Sequence, residues 1–378
     1  MSAARPRVAL DVTPLLGFRT GIGLSVQETW AALSALGDGP TLIPYALGLR
    51  ARTGSDGLPA GIRVVRLPTR ALLAAWSRRD VPRLDLWLAD ADVVHATNFV
   101  VAPSRHPTLV TVNDIGFVLD PGSANAVVAT FPAVLRRAIA RGAHVHVTTE
   151  HVAAEVEEHF GPGLVAAGRI SVVPFGIPAL GPKGSVSPAV AGRLAGRPYV
   201  LAVGSQERRK NLPRLVGAFA RVADRRSDLA LVLVGAEGPD TPAVRDAVAR
   251  LPREVGERVV LAGPVGPGAR RALLEGAALL AYPSLYEGFG FPPLEAMTVG
   301  VPVVAARVGA VVEVAGGAAE LADPADVDDL AAALERVLSD PDLRARLVGA
   351  GRARTSAFSW ERTARGLASV YARLASSS

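Results

Sequence analysis

Two carboxylates, Glu287 and Glu295, bracket a turn that reads Glu-Gly-Phe-Gly-Phe-Pro-Pro-Leu-Glu and follows the run Ala281-Tyr282-Pro283-Ser284-Leu285-Tyr286. A core helix or core strand has little use for so many glycines and prolines. Glycines expose backbone N–H groups to phosphate or sugar oxygens, and ionised carboxylates accept hydrogen bonds from vicinal hydroxyls. The spacing suggests a loop that holds a polyol or a phosphate and opens onto a helix N-terminus. The plainer reading is a tight connection between a buried strand and a helix. A second group is Gly204-Ser-Gln-Glu-Arg-Arg-Lys-Asn211, where an apolar run ends in glycine and Arg208, Arg209 and Lys210 precede a helical pattern. Arginine supplies a planar donor fork and lysine a mobile point charge, both suited to a diphosphate, although basic residues at a loop also serve as solvated surface. Gly235 closes the next apolar run, in a position to abut a nucleotide.

Such loops need sheets behind them. In the C-terminal half, short branched-apolar runs at 199–203, 229–234, 259–262, 279–282 and 301–305 read as buried strands. Helical patterns at 211–225, 244–251, 270–274, 294–299 and 327–338 alternate with them, and a final helix spans 360–374. The N-terminal half repeats the scheme, with strands at 8–12, 42–46, 62–67, 108–112, 144–148 and 170–173, and a loop at 50–57. This alternation means parallel sheet with helices on both faces, twice over. Ligands in such sheets sit beyond the carboxyl ends of the strands, which draws attention to His95 after Val93-Val94 and to Asn113-Asp114 after the run at 108–112. Gly21-Ile22-Gly23 precedes a helix at 24–36, an arrangement that brings N–H groups to an anion or serves close packing. It is a poor dinucleotide fingerprint, because Val26 replaces the third glycine and no acid follows a second strand, which disfavours a nicotinamide dehydrogenase. The stretch from Arg70 to Leu88 mixes Trp76, Leu84, Leu86 and Trp87 with Arg78, Arg79 and Arg83, divided by Pro82. It suits either a membrane interface or a helix pair with its tryptophans in the core.

The chain of 378 residues is long enough for two domains, and 49% apolar with 20% charged residues is a globular composition. The absence of cysteine removes disulfides, thiolate catalysis and cysteine-ligated metal centres. Six histidines lack any familiar metal-ligand spacing; His144 and His146 alternate in a strand-like run. The formal charge of +6 favours a phosphorylated substrate or an anionic membrane, since no nucleic-acid module is recognisable. No signal-peptide core and no apolar run of about 18 residues is present, so the expectation is a cytoplasmic protein in peripheral contact with the inner membrane face.

Taken together, the segments resemble the retaining, nucleotide-sugar-dependent glycosyltransferases of family four. The paired glutamates of Glu287-Gly-Phe-Gly-Phe-Pro-Pro-Leu-Glu295-Ala-Met, with Ser284-Leu285-Tyr286 before and Gly300-Val301-Pro302-Val303-Val304 after, carry the likeness. The resemblance implies an α/β GT-B fold of two Rossmann-like domains facing across a cleft. Residues 1–180 would form the acceptor domain, 181–197 a linker, 198–357 the donor domain, and 358–378 a helix crossing back to the first domain. It implies that Glu287 contacts the donor sugar near the reacting centre, and that Gly288, Phe289, Gly290 and Phe291 present backbone around sugar and phosphate. Glu295 would hold the ribose hydroxyls, and Arg209 with Lys210 the diphosphate. Gly204 and Gly235 would line the donor, and Gly21 with Gly23 would belong to a loop closing over it. Arg208 stands where several relatives have proline. Relatives often carry His-Asp where this chain has Asn113-Asp114; Asn113 still donates and accepts hydrogen bonds but carries no proton. His95 is then either a neighbouring substitute on the acceptor side or a structural histidine. The implied reaction moves a hexose, mannose from GDP-mannose by preference, to a hydroxyl of a saccharide, lipid-linked or small-molecule acceptor. It needs no cofactor or metal, because cationic side chains supply the electrostatics. A UDP- or dTDP-sugar donor, or a sugar-nucleotide-binding protein with weakened catalysis, is the alternative.

Overall fold

The computed structural model describes residues 5–16, 21–49, 61–123 and 126–376. The loop expected at 50–57 lies outside them, as do residues 17–20 ahead of the first glycine pair. The chain forms two compact units, Met1–Pro178 with Phe358–Ser378, and Ala179–Ala357.

The first unit holds a seven-stranded sheet in the order β3-β2-β1-β4-β5-β6-β7, every pairing parallel. Its strands are β1 (Arg7–Asp11), β2 (Thr41–Leu47), β3 (Arg63–Val65), β4 (Val93–Ala96), β5 (Thr108–Thr111), β6 (His144–Val147) and β7 (Ile170–Val172). The second unit holds a six-stranded parallel sheet in the order β10-β9-β8-β11-β12-β13. These are β8 (Tyr199–Val203), β9 (Ala230–Val234), β10 (Val259–Gly263), β11 (Leu279–Tyr282), β12 (Val303–Ala306) and β13 (Glu320–Ala322). Strands covered on both faces read as continuous apolar runs, and Ala-Leu-Val-Leu-Val of β9 is buried throughout. The helix Leu212–Ala223 buries Leu212, Leu215, Val216, Phe219 and Val222, a stripe at helical spacing, in one core with Leu330, Leu334 and Val337 of the helix Val327–Ser339.

In both sheets the chain leaves one central strand in one direction and then returns on its other side. The reversal falls between β1 and β4 in the first sheet and between β8 and β11 in the second. Crossovers diverge there, and the carboxyl ends of the two strands open a crevice.

The segment read as a linker is folded. Residues Pro188–Leu194 form a helix in the second unit, capped by Ser187, whose hydroxyl accepts from Val190 N, with Pro188 at the first position. Val190 and Leu194 are buried, and Gly184 N bonds to Gly268 O at 3.0 Å. The helix Pro341–Thr355, unread in the sequence, buries only Leu343, Leu347 and Gly351, too thin a stripe among arginines to show as a pattern. The Arg70–Leu88 stretch forms the helices Thr69–Trp76 and Asp85–Leu88 on either side of Pro82. Trp76 is fully buried among Leu72, Leu73, Leu84 and Leu88, and its indole donates to Pro82 O at 2.9 Å. The interfacial reading therefore loses Trp76 and keeps a half-buried Trp87 with exposed arginines and Leu86. No helix among the described residues is long and apolar enough to cross a membrane.

The final helix, Trp360–Ser376, packs Ala364, Leu367, Val370 and Tyr371 against Val8, Leu33, Val93 and Leu109 of the first unit. Gly176 permits its entry: a Cβ there would lie 2.3 Å from Trp360 N. Beneath it runs a buried polar chain. His146 Nε2 donates to the Val173 carbonyl at 2.9 Å, which leaves Nδ1 of the neutral ring as an acceptor. Thr111 therefore donates to that Nδ1 at 2.9 Å and accepts from His95 Nε2 at 2.8 Å. Tyr371 then donates to His95 Nδ1 at 2.6 Å. One carbonyl thus orients every proton from β7 to the last helix.

Burial holds these histidines neutral: it brings His146 down to about 4 and pushes His95 well below its ordinary value, with His146 adding to the effect. A histidine neutral in the fold but protonatable when unfolded loses stability as pH falls from 6.5 toward the folded value. The slope is about 1.4 kcal/mol per pH unit for each such group. Asp11, raised by burial to about 6 from 3.8, acts in the opposite sense within that interval and offsets one histidine. Denaturant midpoints should consequently fall between pH 7 and pH 5. A constant midpoint would contradict the neutral chain.

Candidate functional site

The reversal between β8 and β11 positions the residues singled out in the second unit. Beyond β8 the chain makes a short turn, Arg208–Lys210, and enters the helix Leu212–Ala223 through Asn211, whose φ is 58°. Beyond β11 it runs through Pro283 to Gly290 and enters the helix Phe291–Thr298. Asn211 ties the two loops together, its Nδ2 donating to the carbonyls of Pro283 at 3.1 Å and Pro324 at 2.7 Å. Leu285 N donates to Arg209 O at 2.7 Å across the same gap.

The result is a cluster of acid and base. Glu287, 7% exposed, accepts from Lys210 Nζ at 2.5 Å on Oε1 and from Arg209 Nη1 at 2.8 Å on Oε2. Arg209 Nε also donates to Glu207 Oε2 at 2.8 Å, and Ser205 Oγ to Glu207 Oε1 at 2.6 Å. Lys210 Nζ lies 5.2 Å from the centre of the Tyr282 ring. Burial pushes the Glu287 carboxyl up, but the Lys210 and Arg209 charges outweigh it and bring the group to about 2. Burial pulls Lys210 below its ordinary value, with Glu287 opposing. Each charge is held by its partner, and the residues assigned separately to sugar and to diphosphate form one unit. Arg208, by contrast, is exposed.

The glycines have distinct jobs. Gly235 abuts another strand end. A Cβ on it would lie 2.0 Å from Gly204 O, so only glycine lets β8 and β9 converge. A Cβ on Gly204 would press at 3.3 Å on the aliphatic stem of Lys210. Gly290, at φ 95°, caps the helix Phe291–Thr298 with the Tyr282 ring 3.3 Å from where its Cβ would stand. Phe289 and Phe291 pack edge to face at 5.4 Å, with Gly288 buried beside them. The expected row of backbone donors is shorter than the motif suggests, because Pro292 and Pro293 carry no N–H in that first turn.

Glu295 lies on the same helix, 1% exposed, and pairs with Arg270 of the helix Pro267–Gly276. Burial pushes this carboxyl up while Arg270 opposes the shift. Sequence reasoning missed Arg270. Sitting next to Arg271 in a helical run, it carries no local signal that separates it from a solvated arginine.

In the first unit the outcome is mixed. Asn113 Nδ2 approaches Asn98 Oδ1 at 3.4 Å, joining the ends of β5 and β4, and Asp114 Oδ1 accepts from Gly116 N at 2.9 Å to close a turn. His95 is not an acceptor-side group. At 1% exposure, with both ring nitrogens bonded, it belongs to the core chain under the last helix. Gly21 and Gly23 are the first and third residues of the helix Gly21–Ala35 rather than members of a loop, and Gly23 is buried.

Two parallel sheets, each reversing at its centre, are the architecture of the GT-B fold. Sucrose-phosphate synthase from Thermosynechococcus elongatus shares it with a TM-score of 0.75 over 99% of this chain and 100% of that one, at 23% identity. Residues 20–176 match the glycosyl transferase 4-like domain, and residues 187–354 match glycosyl transferases group 1. The chain belongs to the glycosyltransferases of family four. It is 38% identical over 170 residues to the O-antigen chain mannosyltransferase B of Escherichia coli, covering 45% of this chain and 44% of that protein. It is 39% identical over 166 residues to the MMP alpha-(1->4)-mannosyltransferase of Mycolicibacterium hassiacum, covering 43% and 39%. The chain thus spans less than half the length of these curated relatives.

Proposed function

We propose that this protein is a retaining glycosyltransferase that moves mannose from GDP-mannose to a hydroxyl of a saccharide or lipid-linked acceptor. The observation that carries the reading is the Glu287–Arg209–Lys210 cluster at the reversal between β8 and β11. The mannosyltransferase names of its relatives support the sugar.

On this reading the diphosphate enters beside Arg209 and Lys210, which are already charged and already oriented. As the bond between the anomeric carbon and the phosphate oxygen lengthens, negative charge grows on the diphosphate and these two groups stabilise it. The sugar gains oxocarbenium character, and the acceptor oxygen bonds to the face that the nucleotide leaves. Its proton passes to the departing phosphate oxygen, so Asn113 is required only to position. Glu287 keeps both cations in place and contacts the sugar. We assign the electrostatic work to these side chains rather than to a metal.

A panel of GDP-, UDP- and dTDP-sugars followed by mass spectrometry tests the proposal. GDP-mannose should be consumed fastest, with or without a chelator. Preferential consumption of a UDP- or dTDP-sugar would overturn the donor assignment, and donor binding without any turnover would favour a binding protein.

A further inference from the structure

The Arg270–Glu295 pair is joined by one hydrogen bond where the two groups have the means for two. Nη2 of Arg270 donates to Oε2 of Glu295. Nε shares that edge of the guanidinium, is buried, and has no hydrogen-bond partner. On the carboxylate, Oε1 makes no hydrogen bond among the described residues. Side-on pairing of arginine with a carboxylate ordinarily satisfies both edges at once. Here one donor and one acceptor are left over on adjacent atoms of a single ion pair. A buried donor without a partner costs about 1–3 kcal/mol, so the arrangement is complete only with something between them.

The chemistry of that group is narrow. It must accept from Nε–H and donate to Oε1. A hydroxyl does both through one oxygen. A doubly esterified diphosphate has no proton to give at neutral pH, any phosphate would meet the Glu295 charge, and an ammonium has nothing with which to accept.

We propose that Arg270 and Glu295 form a two-sided clamp for one secondary hydroxyl of the donor's ribose, with Arg270 a binding residue in its own right. This rests on the reading of the β8–β11 reversal as a nucleotide-sugar site and of Glu295 as its ribose residue. It adds a residue and a geometry: one hydroxyl, held from both sides, rather than a diol held by a carboxylate alone. It also separates the neighbouring arginines, because Arg271 pairs instead with Glu275 at 2.7 Å and donates to Gly181 O at 2.5 Å.

The test is calorimetric titration of GDP and UDP, with their 2′-deoxy and 3′-deoxy forms, into the wild type, Arg270→Leu, Arg270→Lys and Glu295→Gln. In the wild type, removal of one of the two hydroxyls should weaken binding about tenfold, which is 1.4 kcal/mol. In Arg270→Leu the intact nucleotide should weaken by a similar factor, and the penalty for the missing hydroxyl should disappear. Arg270→Lys keeps the charge and lacks the Nε–H edge, so it should fold, yet still lose the penalty. Persistence of the full penalty in both Arg270 variants overturns the clamp. An equal loss for the intact and both deoxy nucleotides, with the penalty retained, marks Arg270 as structural and overturns it too. The reading beneath is judged separately. If Glu295→Gln abolishes the penalty and the Arg270 variants do not, only the clamp fails. If Glu295→Gln leaves the penalty unchanged, or neither nucleotide binds the wild type, the ribose assignment itself fails.

Discussion

Lys210→Met and Glu287→Gln will each lower glycosyl transfer by about 10²-fold or more, the loss expected when one preorganised group facing developing charge is removed. The two variants reach that result differently. Without Lys210, the diphosphate loses a mostly buried cation, and Glu287 keeps only Arg209 as a charged partner. Without the Glu287 charge, Lys210 remains buried with only the Glu207 charge left to favour its proton, and the burial that already lowers its pKa acts unopposed by the Glu287 carboxylate. The ammonium then tends toward the neutral amine and Arg209 loses its anchor. Because the three side chains work as one unit, the double variant should be scarcely worse than either single one. Breaking a buried pair also costs stability, on the order of 3–5 kcal/mol where a charge is stranded. Rates must therefore be compared with melting curves taken on the same samples. Near-wild-type transfer by both folded variants would refute the assignment.

The second large effect is on folding. Gly235→Ala should cost about 3 kcal/mol, the upper end for overpacking, because the new methyl would meet the Gly204 carbonyl rather than a side chain that can turn aside. The glycine's φ of 150° adds strain for any L-residue. Either β8 and β9 part at their carboxyl ends or the loop holding Arg209 and Lys210 moves. Gly192→Ala is the control. It lies in the helix Pro188–Leu194 with open space around it, and there alanine should stabilise by up to about 1 kcal/mol. Denaturant midpoints of both variants decide the matter; equal midpoints would mean that the two strand ends tolerate separation.

Most of the architecture was legible because parallel strands covered on both faces must be unbroken apolar runs, and helices between them must show one apolar stripe. Where those patterns thin, the reading failed. Pro341–Thr355 hides its stripe among arginines, and Pro188–Leu194 lies in a stretch whose composition resembles a linker although Ser187-Pro188 is a helix start. The loops bearing Glu287 and Arg209-Lys210 stood out because glycine, proline and clustered charge have no place in a core. Their union was not legible, since pairing across 77 residues depends on which strands become neighbours. Arg270 and His95 mark the limit from opposite sides. An arginine in a plain helical run meets the most buried carboxylate of the site, and a histidine at a promising strand end is consumed by Tyr371 and Thr111.

Real-time NMR of the anomeric proton, recorded while the protein consumes GDP-mannose, reads both the stereochemistry of transfer and its dependence on Lys210. The first-formed product should keep the α configuration of the donor with the wild type, and Lys210→Met should leave the donor signal standing. A β product, or the same rate of consumption by Lys210→Met, would contradict the proposed mechanism.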